Sequence, residues 1–156
     1  MNTAENLSTI EYHDQGREYF EKILFFLDSE ESHEMKLSDL EQELEKRGRE
    51  LMRILLQEHL DRLSPSICEQ TVLGSDDIKR PNKREHERHV ATVFGLISSN
   101  RVGYNSRSEG GESLHPLDAH LNFPLELYSL ELRRRVAEKD RKSTRSELQS
   151  RQSISY

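Results

Sequence analysis

The sequence predicts an α+β protein in which a helical hairpin precedes a small antiparallel β-hairpin, a closing C-terminal helix and a disordered tail. Helical apolar spacing in the first half, short β-like segments after Pro65 and a Ser-rich, nearly apolar end after Glu138 support this fold class. The predicted parts are a flexible N-terminus (1–15), the helical hairpin (16–64), a β-hairpin and helix region (65–138) and a disordered tail (139–156).

Two apolar stripes predict the helical hairpin. The first has the i, i+3, i+4, i+7 spacing of one helix face and consists of Phe20, Ile23, Leu24 and Leu27. The second is a row of leucines from Leu37 to Leu63, which Ser64-Pro65-Ser66 ends. Packing of the long helix on the first is the simpler interpretation, and self-association through the Leu37–Leu63 helix is the alternative. Gly48 within the stripe predicts a close helix crossing.

The β-hairpin is expected to start at Val90, to turn near Gly95 and to return from Leu96 to Tyr104. The charged run before it, Lys79–His89, is predicted to be a loop because it contains Pro81 and Asn82. Residues 116–123 are predicted to form a compact turn or short helix. Pro124 is expected in the first turn of the closing helix, whose apolar stripe contains Leu125, Tyr128, Leu132 and Val136.

Composition limits the classes of protein that this chain can represent. In 156 residues, hydrophobic and charged residues each make up 33%, which predicts one domain with a modest core. No apolar run approaches the roughly 20 residues of a membrane span. The single cysteine, Cys68, excludes an internal disulfide framework and suits a reducing compartment. We therefore expect a cytoplasmic protein.

Charge is distributed unevenly along the chain. Residues 1–69 carry 8 Lys/Arg and 17 Asp/Glu, whereas residues 70–156 carry 15 and 12. A mildly basic second half is compatible with contact to a polyanion such as DNA. The candidate phosphate-binding residues are Lys79, Arg80, Lys83, Arg84, Arg88, Arg101 and Arg107. Glu85 and Glu87 partly neutralise this run, and no helix-turn-helix is evident, so sequence reading by a recognition helix is not expected.

Catalytic and metal-binding patterns are weak. The candidate carboxylates are Asp76, Asp77, Asp118 and Glu126. Asp76 and Asp77 are neighbours whose side chains diverge, and Asp118 is expected to cap the local turn. Cys68 has no nucleophile signature around it, and the pairs His86/His89 and His115/His120 are expected to be solvated or hydrogen-bonded. We therefore expect no catalytic residue, no metal and no cofactor.

Three groups of residues carry a family resemblance. They are Gly48, Arg49 and Leu51; then Thr92, Phe94, Gly95, Arg101, Gly103 and Tyr104; then His115, Pro116, Leu117, Asp118, Leu121, Asn122, Pro124, Tyr128 and Ser129. In this order, over roughly residues 35–138, the chain resembles the N-terminal region of bacterial insertion-sequence transposases of the Kra family. Many related transposases place Cys-x-x-Cys pairs beside the hairpin, but the loop after Tyr104 reads NSRS, so zinc is not expected.

The resemblance implies a role in DNA transposition. Transposases of this family continue into a DDE-type nuclease domain, whereas here the sequence changes at Lys139 to a Ser-rich end, which suggests a truncation or frameshift. The expected function is therefore binding of transposon ends or assembly of the transpososome, with cleavage supplied elsewhere. The alternatives are a non-catalytic helical dimerisation module and an inactive remnant.

Overall fold

The computed structural model describes residues 13–66, 72–73, 75, 77–106 and 112–153. Its elements are α1 (Asp14–Leu27), α2 (Glu30–Glu34), α3 (Leu37–Ser66), β1 (Val72–Leu73), β2 (Lys79–Arg80), β3 (Asn82–Thr92), β4 (Gly95–Asn105), α4 (Pro116–His120) and α5 (Leu130–Ser153). Strand β1 pairs antiparallel with β2, and β3 pairs antiparallel with β4. The predicted α+β class is confirmed.

The helical hairpin forms as predicted, but a different glycine makes the close contact. Gly16, at the start of α1, is buried against α3, and a Cβ there would overlap Leu55. At the other end of α1, the Phe26 ring lies 4.0 Å from the guanidinium carbon of Arg47. Gly48 has no neighbour within 4 Å of the position its Cβ would occupy, so the close crossing predicted there does not occur.

The long helix α3 packs on both α1 and the β-hairpin. Leu60 is buried with Val90 and Ile97 of the hairpin, and Leu56 packs against this core. Gln57 binds the free edge of β4, because its side chain donates to the Ser98 carbonyl (2.7 Å) and accepts from the Ser98 N–H (2.8 Å). Leu55, Leu56 and Leu60 of α3 are therefore used within the chain, whereas Leu37 at its start is 72% exposed. The described contacts give no support to self-association through the Leu37–Leu63 helix.

The charged run Lys79–His89 is β-structure, so the predicted loop is wrong. Strand β3 begins at Asn82, and its register with β4 runs unbroken from Asn82–Asn105 to Thr92–Gly95. The prediction failed because the exposed residues of β3 are charged on both faces, which removes the alternation of apolar and polar residues that marks a strand. Within this run only Pro81 lies outside a strand, since it separates β2 from β3.

Gly95 makes the hairpin turn as expected. Its φ of +135° lies in a region that only glycine adopts readily. Thr92 reinforces the turn, since its hydroxyl donates to the Gly95 carbonyl (2.8 Å) and accepts from the Phe94 N–H (3.2 Å). The turn therefore fixes the register that brings the β3 and β4 side chains together.

We expect Gly95→Ala to lower the free energy of unfolding by about 1–3 kcal/mol, because alanine is strained at this φ. The matched control is Gly48→Ala in α3, which has open space around it and should raise the free energy of unfolding by about 0.5–1 kcal/mol through helix propensity. Urea titrations followed by circular dichroism measure both values. Shifts of the same sign in the two variants would contradict this account of Gly95.

The segment between the hairpin and α5 differs from the prediction at one point. The short helix α4 ends as a Schellman motif: Asn122 has φ +49°, and the Phe123 N–H donates to the Asp118 carbonyl (2.8 Å). The chain then runs beside β3, where Ala91 bonds to the Leu127 carbonyl (2.8 Å) and the Ser129 N–H (2.9 Å). The last helix consequently begins at Leu130 and not at Pro124.

Helix α5 extends to Ser153, through most of the segment for which the sequence predicted a disordered tail. Ion pairs between residues three or four apart stabilise its first turns: Arg134 binds both Glu131 (2.8 Å) and Glu138 (2.7 Å). Every described side chain from Arg133 to Arg145 is exposed. A helix with so little apolar content gives no stripe in the sequence, which explains why it was missed.

Candidate nucleic-acid interface

The seven cations predicted to bind DNA fall into three groups. Arg80, Arg88 and Arg101 are largely buried, Lys79, Lys83 and Arg84 are exposed, and Arg107 lies outside the described residues. The predicted set therefore does not form one continuous surface.

Arg80 is buried inside the protein, with only 1% of its surface exposed. Its Nε donates to the Glu112 carbonyl (3.0 Å) and its Nη1 to the Ile78 carbonyl (3.0 Å). These bonds join strand β2 to the segment that leads into α4. The guanidinium therefore donates to backbone carbonyls inside the protein and is not placed to contact a phosphate.

Arg88 and Arg101 hold a carboxylate between them. Both guanidiniums bind Asp118 Oδ2, Arg88 at 3.3 Å, and the three side chains are 11–19% exposed. Asp118 lies on α4, whereas Arg88 and Arg101 lie on β3 and β4, so the contact fastens α4 onto the hairpin. Arg88 also donates to the carbonyls of Pro124 and Glu126 (2.9 Å to the latter). We call Arg88, Arg101 and Asp118 the Asp118 cluster.

His115 packs beside this cluster. It lies directly over Gly103, where a Cβ would come within 2.6 Å of its Cε1, and its ring meets that of His86 edge to face at 5.8 Å. Burial lowers the pKa of His115, and Arg101 and His86 lower it further, against an opposing effect of Asp118. Burial thus favours the neutral form of the imidazole by lowering its pKa. His115 keeps the expected place in the turn, because it is the N-cap of α4 and its carbonyl accepts from the Asp118 N–H (3.0 Å), and its ring also packs on the strand backbone.

The other candidates for chemistry do not come together in the part of the chain that the structure describes. Asp77 is exposed in a turn with φ +58°, and the Glu126 carboxylate binds Arg133 (2.9 Å). Among the described residues, no group of three or more His, Cys, Asp or Glu side chains is placed to hold a metal ion. Asp76 and Cys68 lie outside the described residues.

The exposed cations of the hairpin form only a small patch. Lys83 and Arg84 are adjacent on β3 and therefore point to opposite faces. Lys83 Nζ lies 5.7 Å from the centre of the Tyr104 ring, and Glu85 follows Lys83 on the same face. The hairpin therefore offers two separated exposed cations, Lys83 and Arg84, and not a continuous cationic surface.

Helix α5 carries a larger cationic surface that the sequence analysis missed. Its 24 residues include 8 Lys/Arg against 4 Asp/Glu. At 100° per residue, five of the cations share one side of the helix, which we call the cationic face of α5: Arg134, Arg135, Arg141, Lys142 and Arg145. The i, i+7, i+11 spacing of the arginines was visible in the sequence, but its meaning depends on the segment being helical.

The two halves of the cationic face differ in how their charge is used. Ion pairs with Arg134 and Arg135 lower the pKa of Glu131 to about 2, and Glu131 and Glu138 together raise the pKa of Arg134. Arg141, Lys142 and Arg145 are exposed, and no ion pair joins them to the acidic side chains that the structure describes, a set that ends at Arg145 in this helix. The second half of the face is therefore the part whose positive charge is available to a ligand.

Searches against protein-family models, curated proteins and solved structures found no match to this chain. The resemblance to transposases therefore stays a prediction. None of the described helices is long and apolar enough to cross a membrane. The described residues form a small α+β fold whose last helix, α5, is exposed and carries more cations than carboxylates.

Proposed function

We propose that this chain is a non-catalytic DNA-binding module that engages the phosphate backbone through the cationic face of α5. The observation that carries the proposal is the exposure of Arg141, Lys142 and Arg145 without an ion pair to any acidic side chain that the structure describes up to Arg145. Unpaired cations release the counterions of a nucleic acid when they meet its phosphates, which is the main source of sequence-independent affinity.

The dimensions of α5 suit duplex DNA. A helix of 24 residues is about 36 Å long, and the major groove of B-DNA admits an α-helix. The exposed residues Lys83 and Arg84 of the hairpin can add phosphate contacts. Arg80 and the Asp118 cluster belong to the scaffold in this proposal, because their guanidiniums are bound internally.

The transposase resemblance gives the proposal its biological setting. It implies that the DNA is a transposon end and that this chain contributes binding or transpososome assembly, with cleavage supplied by another domain or protein. Only sequence similarity over residues 35–138 supports this part of the proposal. Binding by the phosphate backbone alone does not depend on it.

The proposal predicts a large loss of affinity in the triple variant Arg141→Gln, Lys142→Gln, Arg145→Gln. Fluorescence anisotropy with a labelled duplex, measured at roughly 50–200 mM salt, should show weaker binding. Each lost phosphate contact changes the slope of log K against log salt by about 0.9, so the three substitutions should flatten the slope by about 2.7. Glutamine is a good helix former, and circular dichroism should confirm that α5 remains helical.

A second triple variant provides the control for net charge. Lys22→Gln, Lys46→Gln and Arg49→Gln remove the same charge from exposed side chains of α1 and α3. The slope should then stay near that of the original chain. Equal flattening in both variants, or no binding at the lowest salt, would overturn the proposal.

A protein-interaction role is the second candidate function. It is favoured by a run of exposed apolar side chains before and within α5, which includes Leu125, Leu127 and Val136. Apolar groups exposed next to one another are typical of contact surfaces between proteins.

A further inference from the structure

The side of α5 away from its cationic face carries a small apolar patch of Leu132, Val136 and Ala137, flanked by Arg133 and Asp140. Val136 and Arg145 are nine residues apart, which places them on opposite sides of a helix with 3.6 residues per turn. A groove of about 390 Å³ follows this apolar side and is lined by Tyr128, Leu132, Arg133, Val136, Ala137 and Asp140. The described part of the chain leaves Tyr128 and Val136 more than half exposed.

Further apolar side chains are exposed in the segment before α5 and at its first residue. Leu125 is fully exposed, and Leu127 and Leu130 are 63% and 49% exposed. Full burial of one such leucine contributes about 1.5–3 kcal/mol. The described side chains of α5 from Arg133 to Arg145 are also all exposed, and exposed apolar side chains of this kind are typical of contact surfaces between proteins.

The charges along the groove indicate what covers it. Arg133 and Asp140 are seven residues apart on the same side of α5, one turn before and one turn after the pair Val136–Ala137. A two-fold axis through the midpoint of that pair places Arg133 of each copy opposite Asp140 of the other. The pattern is therefore complementary to itself.

A parallel arrangement of two copies has the opposite consequence. It places Arg133 against Arg133 and Asp140 against Asp140, which is repulsive at both positions. Asp140 forms no ion pair with the side chains that the structure describes, whereas Glu131 and Glu138 form ion pairs with arginines of α5. The charges thus select antiparallel pairing.

We propose that the apolar side of α5 is a homodimer interface, in which two copies pair antiparallel about Val136 and Ala137. Isologous contacts of this kind are the commonest in soluble oligomers. One helix face with a few flanking leucines is smaller than the about 800 Å² per partner of a standard interface, so the dimer should dissociate in the micromolar range. The cationic face stays outside the dimer, and the proposal does not rest on DNA binding.

Sedimentation velocity over a concentration series tests the interface. The unmodified chain should shift from monomer to dimer at micromolar concentration. Arg133→Asp and Asp140→Arg each create two like-charge contacts and should each weaken dimerisation by tenfold or more. An equimolar mixture of these two variants restores both opposite-charge contacts, so a heterodimer should form. The rescue separates this pairing from loss of the Arg133–Glu126 ion pair or of folding.

Glu138→Arg is the matched control, because it makes the same charge change as Asp140→Arg on the other side of α5. It should leave the monomer–dimer equilibrium unchanged. A chain that stays monomeric at several hundred micromolar, single variants that dimerise normally, or a mixture that fails to pair would each overturn the proposal. Dimerisation without DNA binding, or the reverse, separates this proposal from the proposed function.

Discussion

Asp118→Asn is expected to lower the free energy of unfolding by about 3 kcal/mol. The substitution removes the carboxylate that Arg88 and Arg101 share, and it leaves two guanidiniums that are only 11% and 19% exposed without their counter-charge. Removing one member of a buried ion pair typically costs about 3–5 kcal/mol, and the partial exposure of these groups places the effect at the lower end. Asparagine preserves the volume, so the loss reports the charge.

The matched control for this prediction is Glu126→Gln. It makes the same charge change in the ion pair with Arg133, whose two side chains are 49% and 61% exposed. Exposed pairs of this kind contribute about 0–1 kcal/mol. Urea unfolding of both variants, followed by circular dichroism at one low protein concentration, measures the two losses. Equal losses in Asp118→Asn and Glu126→Gln would show that the Asp118 cluster is no more important than a surface pair.

The Asp118 cluster also determines where the proposed functional surface begins. Arg88 binds Asp118 on α4 and the carbonyls of Pro124 and Glu126, and a few residues later α5 starts at Leu130. Ser129 begins that helix, because its Oγ accepts from the Leu132 N–H (3.2 Å). Two arginines that resembled DNA contacts in the sequence therefore position the helix on which our DNA-binding proposal rests.

Periodicity was enough to predict the parts of the fold that have an apolar face. The stripe of Ile23 and Leu27 gave α1, and the leucines up to Leu63 gave α3, because each helix buries one side. Gly95 predicted the hairpin turn for a related reason, because few residues other than glycine adopt a φ of +135°. In these cases burial of one helix face, or a positive φ, restricts which residue types fit at a single position.

The parts that were missed depend on contacts between distant residues. Arg84 and Arg88 look alike in the sequence, yet one is exposed and the other binds an aspartate thirty residues later on α4. The same holds for α5, where the value of Arg141 and Arg145 as a joint surface appears only once the segment is helical. A composition poor in apolar residues favours the prediction of disorder and conceals such a helix.

Arg80 provides the sharpest test of this distinction between scaffold and surface. We expect Arg80→Met to lower the free energy of unfolding by about 3 kcal/mol, because the carbonyls of Ile78 and Glu112 lose charged donors at a site that is 1% exposed. Methionine retains an unbranched apolar stem, so packing changes little. Lys79→Met removes the same charge from the exposed neighbouring residue and should change stability by no more than about 0.5 kcal/mol. Urea unfolding gives the stabilities, and anisotropy titrations of folded protein give the DNA salt dependence. An Arg80→Met variant that is as stable as the original chain but whose DNA affinity depends less on salt would show that Arg80 contacts DNA, as the sequence predicted.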